Sequence, residues 1–198
     1  ANKVFELTTP YTTAQLFDLK FAQSADVMYI THPAHEVEKL SRTAHTTWTL
    51  TDVDFTKGPM QDANTTTTTL NPGSTAIGTG VSLAASAVAG INGGSGFQST
   101  DVGRFVFLHS GYGKITAVTD TTNATISILS TLSASTATAN WQLGAFSDTT
   151  GHPSSVTFFE QRLVFAGTTD QPQTIFFSKS GDYENMDANI GGTVADDD

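Results

Sequence analysis

Thr47-Trp48-Thr49-Leu50-Thr51-Asp52-Val53-Asp54-Phe55 alternates polar and apolar side chains almost without interruption, the period of a half-buried strand and not of a helix. Trp48 and Leu50 keep one phase and Val53 and Phe55 the other, so the alternation slips by one at Thr51-Asp52, where a β-bulge is expected. Working outward, Glu36-Val37-Glu38-Lys39-Leu40 alternates in the same way. Val27-Met28-Tyr29-Ile30 is a compact apolar run halted by Thr31-His32-Pro33, because proline cannot donate to a β-ladder. The one helix candidate here is Ala14 to Leu19, with Thr12 or Thr13 as its cap, and it is too short to persist alone.

The texture changes after Lys57-Gly58-Pro59. Asn64 is followed by five Thr, and Ser74 to Gly96 is dominated by Gly, Ala, Ser and Thr. Large apolar side chains return at Phe105-Val106-Phe107-Leu108, Ile115 to Val118, Ala124 to Leu129 and Trp141-Gln142-Leu143. These predict four short strands, separated by turns at Ser110-Gly111-Tyr112-Gly113 and Asp120-Thr121-Thr122-Asn123. After Gly151-His152-Pro153 the first texture resumes in Val156-Thr157-Phe158-Phe159, Arg162 to Gly167 and Thr174 to Phe177.

The two flanking stretches repeat one another. A gapless offset of 137 residues sets Val27-Met28 on Val164-Phe165, Thr31 on Thr168 and Leu40-Ser41-Arg42 on Phe177-Ser178-Lys179. Subtracting the intervening module leaves a period close to that of a four-stranded propeller blade, roughly 40–50 residues. The expected fold is therefore all-β. Residues 1–59 form a first propeller-like blade region and 60–143 an inserted small antiparallel module, sandwich or barrel-like. Residues 144–198 form a second blade region continuous in space with the first. Two blades cannot close a ring, since stacked repeats need about three units to bury their faces. Val194-Ala195-Asp196-Asp197-Asp198 follows soon after the second repeat, so the sheets are expected to be completed by further chain or by a partner.

Composition narrows the function classes. With no cysteine in 198 residues, disulfide frameworks and thiolate-ligated metal sites are excluded. Lys plus Arg total 9 against 19 Asp plus Glu, a net charge of -10, which argues against gripping nucleic acid through its phosphates. At 14% charged and 38% hydrophobic residues the chain does not read as disordered, and 34 Thr with 17 Ser favour pleated surfaces. No apolar run approaches the roughly 18 residues of a membrane span, and Ala1-Asn2-Lys3-Val4-Phe5-Glu6 carries no signal-peptide apolar region.

Candidate chemistry is sparse. His32-Pro33-Ala34-His35 lacks the helical spacing of zinc proteases, and Pro33 forbids a helix, so a turn with two solvated imidazoles is expected. His45, His109 and His152 stand apart. Asp52 with Asp54, and Asp182 with Glu184, are paired carboxylates at strand or turn spacing, with no third group beside them to make an acid–base site. Gly78-Thr79-Gly80 opens no capped helix, and Gly113-Lys114-Ile115 lacks the hydroxyl residue that a phosphate loop places after its lysine. Ser178-Lys179-Ser180-Gly181-Asp182 reads as a structural turn, and Asn64-Thr65-Thr66 and Asn123-Ala124-Thr125 are glycosylation matches of the kind a Thr-rich chain produces by composition. No catalytic, cofactor-binding or metal-ligating set is expected, no cofactor, and no enzymatic activity. Phe5, Phe17, Phe21, Trp48, Phe55, Phe158, Phe159, Phe165, Phe176 and Phe177 are expected to build the cores of the blades.

Several motifs taken in order resemble a known family. They are Gln23 to Pro33, Leu40-Ser41-Arg42 with Trp48, Asp101-Val102-Gly103-Arg104, Trp141 to Phe146, Thr157 to Gly167, and Ser178 to Met186. Together they are similar to the tail nozzle proteins of short-tailed bacteriophages and prophages, also called tail tubular protein B. The resemblance implies a non-enzymatic virion protein made in the bacterial host cytoplasm, and this chain as an amino-terminal portion of it. It implies self-association into a hexameric ring, docked to tail adaptor and fibre proteins, through which DNA passes without sequence-specific binding and without a membrane partner. The alternative expectation is a carbohydrate-binding or adhesin-type β module without catalysis.

Overall fold

The computed structural model describes residues 5–187; Ala1-Asn2-Lys3-Val4 and residues 188–198, with the closing aspartates, lie outside the described residues. The chain is all-β with antiparallel sheets. The described residues divide into two compact units, one of residues 5–56 with 151–187 and one of Lys57–Thr150, called outer and central here for their order along the chain. The central unit extends beyond the 60–143 read from composition. Residues 59–64 lie along the free edge of the strand at 141–145, with Ala145 N donating to Pro59 O, Gln61 N to Leu143 O and Asn64 N to Trp141 O.

The first outer sheet is a meander of β1 (Lys20–Ser24), β2 (Val27–His32), β3 (His35–Ala44) and β4 (Thr47–Asp52), in that spatial order. Two-residue turns join its first three strands, and Ala25 in the first of them has a φ of 50°. The bulge expected at Thr51-Asp52 is absent. Register runs unbroken from Arg42 opposite Trp48, through Leu40 opposite Leu50, to Glu38 opposite Asp52, and Val53 N then donates to Val37 O. The irregularity lies at the other end of the pair, between Arg42 and Ala44. The apolar phase slips because Trp48 and Leu50 sit on one face of the sheet and Val53 on the other, both faces being partly apolar. The Ala14 to Leu19 helix reduces to a 3-10 turn, Thr13–Gln15, capped by Thr12.

In the central unit, β5 (Leu70–Pro72), β6 (Gly78–Ala85), β7 (Phe105–Leu108), β8 (Gly111–Asp120), β9 (Asn123–Ile128) and β10 (Trp141–Leu143) form one sheet in the order β10-β7-β8-β9-β6-β5. The sheet curls into a half-barrel. Its β5 edge reaches Thr138, just ahead of β10 at the opposite edge, through paired bonds between Leu70 and Thr138. Leu70, Leu83, Val106, Ile115, Ile126 and Trp141 fill the interior, and each such side chain contributes about 1.5–3 kcal/mol. Strands β5 and β6 escape the sequence reading, because Gly-Thr-Gly-Val-Ser-Leu-Ala-Ala has little strand propensity and is held by what Leu83 buries. The turn expected over Ser110 to Gly113 is instead the pair His109-Ser110, with φ of 49° and 59°. Gly111 and Gly113 belong to β8: a Cβ on Gly113 would stand 2.4 Å from the Ser127 carbonyl oxygen, so only glycine admits that approach.

The second outer sheet is β11 (Ser155–Phe159), β12 (Arg162–Ala166) and β13 (Ile175–Phe177). Its first hairpin matches β1–β2, with Ser24 opposite Val27 and Phe159 opposite Arg162, a spacing of 135 residues. The third strand matches at 138, because Tyr29 pairs Lys39 whereas Val164 pairs Phe177. The gapless 137 is thus a compromise between two true spacings, and the extra length lies in the β12–β13 loop, residues 167–174.

Opposed partners share a face, so Ala22, Tyr29, Lys39 and Thr51 lie on one side of the first sheet and Gln23, Met28, Leu40 and Leu50 on the other. In the second sheet, Thr157, Val164 and Phe177 take the side equivalent to that of Tyr29, while Val156, Phe165 and Phe176 take the side equivalent to that of Met28. The two sheets pack through unlike sides. Tyr29 meets Phe158 at 6.1 Å between ring centroids, and Phe165 meets Phe55 at 5.9 Å. On the second sheet's Tyr29-like side the central Val164 is buried, while Phe159, Ile175 and Phe177 around it are 57%, 56% and 47% exposed. Phe17, Phe21 and Phe5 are exposed as well. The expectation that all ten aromatics build cores fails for these five: Phe21, Phe159 and Phe177 stand on sheet sides that are only partly covered, and Phe5 and Phe17 lie outside the strands.

Candidate functional site

The densest set of titratable groups lies on the first outer sheet, where the segment carrying Tyr11 and the 3-10 turn crosses the β2–β3 hairpin. His32 and His35 flank Pro33-Ala34, and their ring centroids are 5.1 Å apart. The Tyr11 ring stands 5.3 Å from His35 and 6.3 Å from His32. His32 is buried, against the expected pair of solvated imidazoles, and its Nδ1 accepts from the Ala34 N–H at 3.1 Å. His35 bonds through Nε2 to Gln15 Oε1 at 3.1 Å. The Tyr11 hydroxyl is buried with no hydrogen-bond partner.

His32, Tyr11 and Glu38 have their charged forms suppressed. Burial lowers the His32 pKa, His35 lowers it further, and Asp18 opposes both. Burial also raises Tyr11, assisted by the charges of Glu38 and Asp52. Glu38, buried between Ile30 and Asp52 in the sheet register, is raised by burial, then by Asp52 and Glu36. Groups perturbed in this way are the usual mark of a reactive centre. Here they are packed against one another, and clefts of about 100 and 530 Å³ open beside Leu40, Arg42 and Trp48. Glu38 gives the first prediction. Its folded pKa lies above the unfolded value, so its share of stability is complete below the unfolded carboxylate range and is lost as pH rises through the folded pKa. Glu38→Gln should therefore raise the melting temperature near neutral pH by a few degrees, about 1 kcal/mol. The gain should vanish in acid, as paired melts of both proteins across pH will read.

The remaining candidates take structural places. Glu184 accepts from Tyr29 Oη at 3.1 Å and from Lys39 Nζ at 2.6 Å, while Asp182 accepts from Asn185, so this pair of carboxylates is divided between two tasks. Asp52 faces Glu38 and Tyr11, and no acid–base pairing with Asp54 is formed in the register. His109 Nε2 donates to Thr136 O at 2.7 Å, the His45 carbonyl accepts from Trp48 Nε1, and His152 is buried with its N–H on Pro33 O. In Ser178 to Asp182 the buried Ser178 hydroxyl accepts from Leu163 N and donates to Lys179 O, closing a turn. Gly78-Thr79-Gly80 opens β6. The Asn64 side chain caps its own loop, donating to Thr66, Thr68 and Ala139 carbonyls and accepting from Thr66, which leaves it engaged at both ends. Asn123 donates to Asp120, whose exposed carboxyl is lowered chiefly by the Thr122 N–H.

Asp101-Val102-Gly103-Arg104 builds the most completely buried polar network of the central unit. Arg104 donates from Nε to Gly144 O at 2.7 Å, from Nη1 to Asn92 Oδ1 at 2.6 Å and Asp101 Oδ1 at 2.9 Å, and from Nη2 to Gln61 Oε1 at 2.7 Å. The second Asp101 oxygen accepts from Asn92 Nδ2 and Gln98 N. Sequence reading singled the motif out without assigning it this task, and it missed Tyr11 and Glu38. The one available signal was a glutamate inside the alternation of β3.

Among the described residues, no group of three or more His, Cys, Asp or Glu side chains could hold a metal ion, and no helix is long and apolar enough to cross a membrane. Compared with protein-family models and with curated proteins, the chain matches none.

Proposed function

We propose that this chain is a structural, non-catalytic component of a phage tail nozzle, supplying incomplete propeller blades and an inserted β module to a ring-shaped conduit for DNA ejection. The observation that carries the reading is the unlike-face packing of the two outer sheets. A contact between unlike surfaces is heterologous, and its repetition gives a closed ring where the rotation allows it. Such packing also leaves apolar side chains exposed on the far side of each sheet: Phe159, Ile175 and Phe177 on the second sheet and Phe21 on the first. Contiguous exposed apolar side chains mark surfaces that meet other protein.

Two further features support it. The motifs behind the resemblance hold architecture together: Asp101 and Arg104 bond each other, Trp141 Nε1 donates to Thr68 O at 2.9 Å, and Ser178 closes a turn. The net charge of -10 suits a wall that DNA must pass without sticking, because anionic surface removes the phosphate attraction on which non-specific binding depends. In the virion the neighbours are further copies, about six to a ring as the resemblance implies, with tail adaptor and fibre proteins.

Light scattering and electron microscopy of the full-length protein test the reading. Rings are expected, and Ile175→Glu with Phe177→Glu should abolish them while leaving each unit's melting within about 1 kcal/mol of wild type, as exposed substitutions do. A stable monomer at every concentration, or specific saccharide binding through the central unit, overturns it.

A further inference from the structure

We infer that the β2–β3 turn and the segment of residues 11–15 lying against it form an acid-released latch. The hydrogen bonds fix the tautomers. His32 Nδ1 accepts the Ala34 N–H, so the neutral ring carries its proton on Nε2. A second proton has only Nδ1 to occupy, which would set one N–H against another and cost the turn its bond. Gln15 Oε1 accepts both the N–H and the hydroxyl of Thr12, which identifies that atom as oxygen and makes His35 the donor through Nε2. The two rings stand 5.1 Å apart, so the charge that His32 gains in acid is placed directly beside a second imidazole.

Every element packed on the hairpin adds to the balance. Asp18, beyond the 3-10 turn, favours a charged His32; burial and His35 oppose it and outweigh it. Glu38 and Asp52, from β3 and β4, face the Tyr11 hydroxyl, with Glu36 beside Glu38. The buried His152 ties its N–H to Pro33 O in the same turn. The segment itself is held lightly, by the Tyr11 ring against the two imidazoles and one bond to Gln15, while its buried hydroxyl has no partner. Protonation breaks the turn first, and residues 11–15 then lose the surface they rest on. Sites that open ahead of the rest of a fold are held by few contacts of this kind.

Hydrogen exchange of the full chain, corrected for the intrinsic effect of pH, is the test. Exchange in peptides covering residues 10–16 should rise about tenfold between roughly pH 7.5 and 5 in wild type. His32→Asn places an amide oxygen where Nδ1 accepts and cannot titrate, so it should keep the segment closed in acid. Imidazole nitrogen NMR of the wild-type protein keeps the idea falsifiable if that variant fails to fold. A neutral His32 protonated on Nδ1, unchanged exchange down to pH 5, or equal opening in His32→Asn each overturns the latch.

Discussion

Arg104→Met should lower the unfolding temperature of the central unit by on the order of 15–30 °C, the largest effect expected of any single substitution here. The side chains of Arg104 and Asp101 are both fully buried, 2.9 Å apart. Removing the guanidinium strands a carboxylate where water cannot reach it and takes donors from Gly144 O, Asn92 Oδ1 and Gln61 Oε1. Breaking such a pair from one side costs about 3–5 kcal/mol, and a unit of about ninety residues loses some 4–8 °C per kcal/mol. Arg104→Lys should lose less but still heavily, because an ammonium cannot present a planar fork to three groups at once. Asp101→Asn combined with Arg104→Met should recover part of the loss, since it removes the uncompensated charge. Trp141 is buried in the central unit and Trp48 belongs to the outer one. Single-tryptophan variants therefore follow each unit separately in one melt. A loss below about 1 kcal/mol on the Trp141 signal would show that the network is not what holds the half-barrel.

Phe165→Ala carries the second large effect, this time in the outer unit. The Phe165 side chain is fully buried, with its ring 5.9 Å from that of Phe55 at 80°. Truncating a buried phenylalanine costs about 3–5 kcal/mol through lost transfer energy and the cavity left behind. An edge-to-face pair of this geometry adds about 0.5–1.5 kcal/mol. The Trp48 signal should shift strongly in chemical denaturation while the Trp141 signal stays in place. Phe177→Ala, half exposed on the other side of the same sheet, should cost well under about 1 kcal/mol. Equal losses from the two phenylalanines would mean that the exposed side is covered in solution, and the comparison so reads the state of that surface as well as the strength of the core.

That pair of phenylalanines shows what the residues alone could and could not convey. Both stand in apolar runs of the same texture, and the sequence reading placed both in cores. The strands themselves were legible wherever large side chains alternate, as in Thr47 to Phe55 or Ala124 to Leu129, and so was the repeat that relates the flanking sheets. β5 and β6 were not legible, because small residues carry no periodic signal and are held by contacts made elsewhere in the sheet. The glycines of β8 read as a turn, because a close approach to Ser127 and the flexibility of a loop call for the same residue. His32 read as a solvated turn histidine, because nothing in the spacing of His-Pro-Ala-His tells that Tyr11, twenty-one residues earlier, comes to lie over it.

By itself the sequence determined the all-β class, the antiparallel hairpins, and the want of cysteine and basic charge. These follow from local period and composition, which are properties of neighbouring residues. Only the tertiary structure decided which side of each outer sheet is covered, that Asp101 and Arg104 satisfy one another in the interior, and that Tyr11, His32, His35 and Glu38 share one surface. The reason is physical: a β-strand offers two faces to its surroundings, and the choice between them is made by residues far away in the chain.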